Sequence, residues 1–345
     1  MSPVTSPTKI LISTFLEQQY VDAIASAPDV EVLYAPELLP EPRYAADHGG
    51  VKPALDAAAE ERWLGLLAQA DVAFDFDWRD PSSLPTNAPK LQWIQATSAG
   101  IGAFMSRTGL DASGITVTTA AGTHAVPLAE FALTGALHFI KGVPHLEEQK
   151  RQHRWERYTT RQLAGLGVSV VGVGGMGSNV ISVFDALGAR VTAVGRPGGS
   201  YELPDSVTLS DTSRLAEVLP STDVLVLCSA LTPETEGLIG RDELALLPEQ
   251  AIVVNISRGQ VVDEQALIEA LRSRRLLGAA LDVVTSEPLA ADSPLWDLDN
   301  VLLSPHSAST VASENATLTE LFLENLRRWR AGEPLKNLYE RSRGY

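Results

Sequence analysis

Val168-Ser169-Val170-Val171-Gly172-Val173-Gly174-Gly175-Met176-Gly177 is an apolar run that passes directly into G-x-G-x-x-G, and residues 178–187 continue with helical spacing. Strand, glycine loop and helix in that order read as the opening of a dinucleotide-binding βαβ unit. Gly172 permits the tight turn, Gly174 removes the side chain that would block a pyrophosphate, and Gly177 lets helix and strand pack closely. Gly175 and Met176 belong to the same cradle. The helix start offers free N–H groups and a partial positive charge to the phosphates.

The end of the next strand bears on which dinucleotide suits the loop. An NAD site usually places Asp or Glu there, about 20 residues past the glycines, to accept from the ribose 2′-OH. Here Gly195 holds the place and Arg196 follows, with no acidic residue between Arg190 and Tyr201. A 2′-phosphate would meet a cation and no repulsion, so NADP(H) is favoured over NAD(H). A solvated loop arginine is the competing reading of Arg196.

Working outward, apolar runs recur at residues 190–194, 224–227, 251–254, 277–283 and 301–303. Their nearly continuous Val and Leu indicate strands buried on both faces. Upstream, runs at 10–14, 30–34, 71–74, 91–95 and 115–118 alternate with helical spacing at 16–25 and 60–69. Strands alternating with helices specify parallel sheets covered on both faces. The expected architecture is α/β, with two Rossmann-like or flavodoxin-like doubly wound parallel-sheet domains separated by a cleft. The first comprises residues 1–119 completed by 309–345, and the second residues 120–308. Two apolar helical segments cross between them as a hinge. One is residues 125–139, with Thr123 as N-cap and Pro127 in its first turn, and the other is residues 310–330, stopped by Gly332 and Pro334. Residues 35–53 and 81–89, rich in Pro and Gly, read as surface loops.

Composition removes whole classes of function. The 345 residues carry 27 Lys+Arg against 43 Asp+Glu, a formal charge of −16. Such a surface repels a phosphate backbone, so no nucleic-acid partner is expected. Cys228 is the only cysteine and cannot form an internal disulfide, and the six histidines show no pair at metal-ligand spacing, so no metal is expected. Residues 1–8 lack a charged segment followed by a long apolar run. No later stretch reaches about 18 uninterrupted apolar residues. The expectation is a cytoplasmic protein with no membrane partner.

Three segments follow apolar strands of the second half, where ligands of open α/β sheets collect. They are Asn255-Ile256-Ser257-Arg258-Gly259, then Leu281-Asp282-Val283-Val284-Thr285-Ser286-Glu287-Pro288-Leu289, and Ser304-Pro305-His306-Ser307-Ala308. Reduction of a 2-keto acid needs a cation for the carboxylate and a proton donor for the carbonyl oxygen. Arg258 offers the first through its planar fork, and His306 the second. Glu287 beside His306 would favour the imidazolium and fix the ring. Each has a plainer reading, as a strand-end cap, a solvated acid and a satisfied core histidine. Their joint appearance behind a dinucleotide loop favours chemistry.

With these residues in place, the chain resembles the D-isomer-specific 2-hydroxyacid dehydrogenase family over nearly its whole length. The resemblance runs from Trp93-Ile94-Gln95 and Ser98-Ala99-Gly100 through Ser257-Arg258-Gly259-Gln260-Val261-Val262-Asp263-Glu264 with Ala266-Leu267. It continues through Pro294-Leu295-Trp296 and Asn300-Val301 to Pro305-His306. It implies that Arg258, Glu287 and His306 are catalytic, that N–H groups near Ala99 and Gly100 hold the substrate carboxylate, and that Asp282 orients the nicotinamide amide. It also implies that Thr232 lines the dinucleotide site, although Ala230 stands where the family often has proline. Ile256, Ser257 and Ser307 complete the expected cofactor contacts. The first domain then binds substrate and the second the dinucleotide. The substrate is a small 2-keto or 2-hydroxy acid such as glyoxylate or hydroxypyruvate, and the expected assembly is a homodimer. The chain ends about forty residues after His306, so the appended regulatory domain of long phosphoglycerate dehydrogenases is not expected. A formate dehydrogenase shares the architecture but pairs its histidine with an amide, where Glu287 is a carboxylate. A dinucleotide-sensing regulator on the same scaffold would not require the Arg258, Glu287 and His306 set.

Overall fold

The computed structural model describes residues 7–341, so residues 1–6 of the stretch read for a leader lie outside the described residues. The chain forms two compact units, Met1–Thr123 with Thr310–Tyr345, and His124–Ser309.

In the first unit β1 (Thr8–Ile12), β2 (Val30–Leu33), β3 (Val72–Phe74), β4 (Trp93–Gln95) and β5 (Thr116–Thr118) form one sheet in the order β2-β1-β3-β4-β5. All pairs are parallel, and the order is that of a flavodoxin-like doubly wound sheet. Successive side chains of a strand point to opposite faces. Ile10 and Ile12 therefore enter one core with Phe74, Trp93 and Phe322, while Leu11 enters the other with Trp63, Ala73 and Ile94. Helix Glu314–Ala331 closes the first of these cores. Its Phe322 stacks on Trp93 at 5.2 Å and meets Phe74 edge-on at 5.3 Å, pairs that add about 0.5–1.5 kcal/mol each beyond burial.

The second unit holds β6 (Gly167–Val171), β7 (Arg190–Gly195), β8 (Thr208–Asp211), β9 (Val224–Leu227), β10 (Ala251–Asn255), β11 (Leu276–Leu281) and β12 (Val301–Leu303). They pair in parallel in the order β12-β11-β10-β9-β6-β7-β8. The order reverses between β6 and β9, the switch point at whose carboxyl ends such sheets bind ligands. Every residue of β6, β9 and β10 is buried, as their apolar runs require, and each fully buried Val, Leu or Ile stabilises by about 1.5–3 kcal/mol. Helix Ala125–Ile140 lies against this sheet through glycine. A Cβ on Gly135 would sit 2.4 Å from that of Ala280, and one on Gly278 2.4 Å from the Phe139 ring.

The structure departs from the sequence expectation in several places. Helix Ala125–Ile140 is capped by His124 without a side-chain cap bond; the Thr123 N–H turns back to the Ala120 carbonyl instead. The last helix starts at Glu314, after a turn that sets the Glu314 N–H on the Val311 carbonyl. Neither helix crosses between the units. Each buries its apolar face in one core, and the chain passes over at residues 123–124 and 309–310. β8 and helix Val143–Arg151 carry no periodic apolar signal: the one apolar residue of β8, Leu209, is exposed, and the helix buries nothing. Residues 81–89 contain the helical turns Pro81–Ser83 and Leu84–Asn87, anchored by buried Leu84. Among the described residues no single helix is long and apolar enough to cross a membrane.

Candidate active site

β10, β11 and β12 are neighbours in register, with Asn255 opposite Leu281 and Leu281 opposite Leu303. The three segments singled out in the sequence thus leave the sheet at adjacent strand ends. Buried Asn255 sets the first. Its Oδ1 accepts from the Ser257 N–H at 3.0 Å and the Ser257 hydroxyl at 2.8 Å, and its Nδ2 donates to the Arg258 carbonyl at 3.0 Å. Arg258 is half-buried, and its Nη1 donates to the Ser257 carbonyl at 2.7 Å. It makes no ion pair among the described residues, which leaves most of the guanidinium fork available.

The residues after Arg258 brace the second segment. A Cβ on Gly259 would fall 2.0 Å from the Val284 carbonyl carbon, so only glycine allows the two backbones to meet. Gln260 Nε2 donates to the Thr285 carbonyl at 2.9 Å, and Glu264 accepts from the Thr285 N–H at 2.8 Å. Sequence reading quoted Gln260 and Glu264 without giving them a role. Their signal is a pair of polar side chains two and six residues after the catalytic candidate.

Asp282 holds the third segment. It is buried, and its Oδ1 accepts from the Ser304 hydroxyl at 2.6 Å and the Ala308 N–H at 2.9 Å, while its carbonyl accepts from the His306 N–H at 2.9 Å. The Ser307 N–H donates to Ser304 Oγ at 3.3 Å, so Ser304 is a second anchor that sequence reading passed over. These bonds hold His306 at φ +55°, a left-handed conformation that few residues other than glycine adopt. Its Nδ1 then lies 2.8 Å from Glu287 Oε2. Glu287 Oε1 accepts in turn from the Val284 N–H at 3.3 Å. A carboxylate against Nδ1 fixes the ring orientation and the tautomer, with a proton on that nitrogen. The opposite edge, Nε2, is left for a reacting oxygen, since the His306 side chain remains 43% exposed. Among the described residues no group of three His, Cys, Asp or Glu side chains could hold a metal.

At the switch point Gly172 has φ +101°, and a Cβ there would lie 2.6 Å from the Ser229 nitrogen; one on Gly177 would lie 1.8 Å from the Gly172 carbonyl oxygen. Both glycines are thus required by packing. Gly174 is different: a Cβ there would meet nothing within 4 Å, so the lack of a side chain keeps open the space a pyrophosphate would fill. Gly175 and Met176 start helix Gly175–Ala186, where first-turn N–H groups have no partner within the helix. The loop therefore fits a dinucleotide. Cys228, buried behind it, is no nucleophile, because desolvation pushes its thiol well up.

Other candidates are placed less directly. Thr232 closes a local turn, its N–H donating to Thr235 Oγ1 at 2.8 Å, and no hydrogen bond ties it to the glycine loop. The Ile256 side chain belongs to the core, with its N–H on the Leu227 carbonyl at 3.2 Å. Arg196 is exposed at the end of β7, without an ion pair among the described residues. In the first unit, Ala99 and Gly100 follow β4, and among the described residues their N–H groups have no protein acceptor.

A sequence profile of the D-isomer specific 2-hydroxyacid dehydrogenase NAD-binding domain matches residues 133–308. A glyoxylate/hydroxypyruvate reductase of Arabidopsis thaliana, HPR3, is 30% identical over 274 residues, 78% of this chain and 83% of the relative. The chain belongs to the D-isomer-specific 2-hydroxyacid dehydrogenase family. It is accordingly an oxidoreductase acting on 2-hydroxy acids. Solved 2-hydroxyacid dehydrogenases share its whole architecture. One from Xanthobacter autotrophicus Py2, in complex with NADPH and MES, is 30% identical with a TM-score of 0.77, covering 99% of this chain and 100% of that one. An NADPH-dependent glyoxylate/hydroxypyruvate reductase from Sinorhizobium meliloti, in complex with NADP and sulfate, is 25% identical with a TM-score of 0.78, covering 98% and 100%.

Proposed function

We propose that the chain is an NADPH-preferring reductase of small 2-keto acids, with glyoxylate and hydroxypyruvate the first candidates. The observation that carries this reading is the His306–Glu287 pair at 2.8 Å, on a turn locked by Asp282 and beside the strand end that presents Arg258. A bound reduced nicotinamide supplies hydride to the keto carbon. His306 holds the proton at Nε2 and delivers it to the carbonyl oxygen, and Glu287 stabilises the charged ring until then. Arg258 takes the carboxylate or polarises the keto group with its unpaired fork. In the first unit, the N–H groups of Ala99 and Gly100, which have no protein acceptor among the described residues, suit a carboxylate. Asp282 orients the amide of the nicotinamide.

The cofactor preference rests on the absence of an acid at Gly195, on exposed Arg196, and on the NADPH and NADP found in the two related structures. The reaction would run in the cytoplasm, in a homodimer. The decisive experiment follows absorbance at 340 nm with a panel of 2-keto acids and both reduced cofactors. Turnover of glyoxylate or hydroxypyruvate with a higher kcat/KM for NADPH is the expected result. Tight cofactor binding with no turnover on any 2-keto acid would instead indicate a dinucleotide sensor.

A further inference from the structure

The end of β7 holds a feature the proposed function does not use. Gly195 is buried, and a Cβ built on it would lie 2.3 Å from Cε2 of Tyr201, with Cζ at 2.7 Å and the phenol oxygen at 2.8 Å. Gly199 meets the same ring: its Cβ would lie 2.4 Å from the phenol oxygen. The ring thus rests on two backbone segments that only glycine can supply. Between them, Arg196-Pro197-Gly198-Gly199 forms a turn in which the Gly199 N–H donates to the Arg196 carbonyl at 3.0 Å. Pro197 in second place and Gly198 at φ +71° in third make it a type II turn, stiff by composition. The phenol oxygen accepts from the Arg196 N–H at 3.0 Å, and its own proton has no protein acceptor among the described residues.

We propose that Tyr201 is the specificity-determining residue of the adenosine end of the dinucleotide site. Its ring stands where any side chain at position 195 would have to begin, so the strand end cannot carry the carboxylate that would receive a ribose 2′-OH. Its hydroxyl fixes the backbone of Arg196, which holds the cation in place for a 2′-phosphate. The free phenol proton then adds a hydrogen bond to that phosphate, which a ribose hydroxyl matches only weakly. Exclusion of the acid and positioning of the cation are two consequences of one side chain. This inference rests on the NADP(H) reading above and adds the residue that enforces it.

The test uses the full chain and ligands that lack the nicotinamide, so it is independent of turnover. Calorimetry compares 2′,5′-ADP with 5′-ADP on the parent, Tyr201→Phe, Tyr201→Ala, and Gly195→Asp with and without Tyr201→Ala. The parent should bind 2′,5′-ADP the more tightly. Tyr201→Phe keeps the ring and loses the hydroxyl, so it should weaken 2′,5′-ADP by about three- to tenfold and leave 5′-ADP unchanged. Gly195→Asp alone clashes with the ring and should bind both ligands poorly. Combined with Tyr201→Ala the aspartate has room, and the preference should fall or reverse. Circular dichroism and thermal melting confirm that each variant is folded, and Tyr201→Phe decides the matter if the aspartate variants are not. A parent that does not distinguish the two ligands overturns the cofactor reading and this inference with it. A parent that does, with the same ratio in Tyr201→Phe and Tyr201→Ala, overturns the role of Tyr201 alone.

Discussion

His306 sits in a backbone conformation that costs free energy, and three hydrogen bonds around Asp282 hold it there. Strain kept at one residue by so many partners is suited to a side chain that must be aimed. Removing the proton donor should lower kcat by about 10² to 10⁴ while leaving NADPH affinity intact, so His306→Ala is to be compared by stopped-flow turnover and by cofactor fluorescence titration. Undiminished turnover would mean the proton comes from elsewhere. Glu287→Gln keeps the shape of the pair and removes the charge 2.8 Å from the ring. The charge-assisted hydrogen bond that orients the ring becomes a neutral one, so kcat for keto-acid reduction should fall while NADPH affinity is kept. An unchanged kcat would dissolve the pairing. Arg258→Lys retains a cation but loses the planar fork, so KM should rise and kcat fall together. A change in cofactor affinity alone would move Arg258 into the dinucleotide site.

Among the elements, the parallel strands were the most legible because burial on both faces leaves a nearly unbroken apolar run, as in Val224-Leu225-Val226-Leu227. Loops hide their logic, since it resides in contacts distant in sequence or in side-chain to backbone bonds with no period. Residues 35–53 read as a surface loop, yet Asp47 within it is buried and accepts from the Arg43 N–H and guanidinium and from the Gly49 and Gly50 N–H groups. The Arg43 side chain holds its carboxyl well below the usual carboxylate range. A folded-state value below the unfolded one means stability that is present above about pH 3.9 and is lost as pH falls towards the folded value. Asp47→Asn should therefore cost about 1–3 kcal/mol at pH 7, with the gap to the parent closing below about pH 4. Urea midpoints across pH 7 to 2.5 measure it, and a gap independent of pH would show that the charge is idle. At the site, His306, Glu287 and Arg258 were legible by type and order, whereas Ser304, Gln260 and Glu264 act only through folded-state bonds. Tyr201 was invisible because its partner is a glycine, and the absence of a side chain writes no signal.

At the scale of the whole molecule, a charge of −16 confronts an anionic cofactor and an anionic substrate. Repulsion acts over the Debye length, about 30 Å at 0.01 M salt and about 8 Å at 0.15 M, while contacts at Arg196 are short-ranged. The association rate constant of NADPH should rise as salt is raised over that interval, which stopped-flow fluorescence can follow. A falling rate would mean that local cations steer the encounter despite the total charge. The two passages of the chain at residues 123–124 and 309–310 also order events in time. A ribosome delivers residues 124–309 as one uninterrupted stretch, so the second unit has all its parts before the first does. The first unit begins synthesis earlier, but Ile10, Phe74 and Trp93 wait for Phe322, more than three hundred codons after Ile10. The unit that starts first therefore finishes last, and during translation the face of its sheet that this helix covers must remain soluble, or be shielded by a chaperone, until the helix emerges.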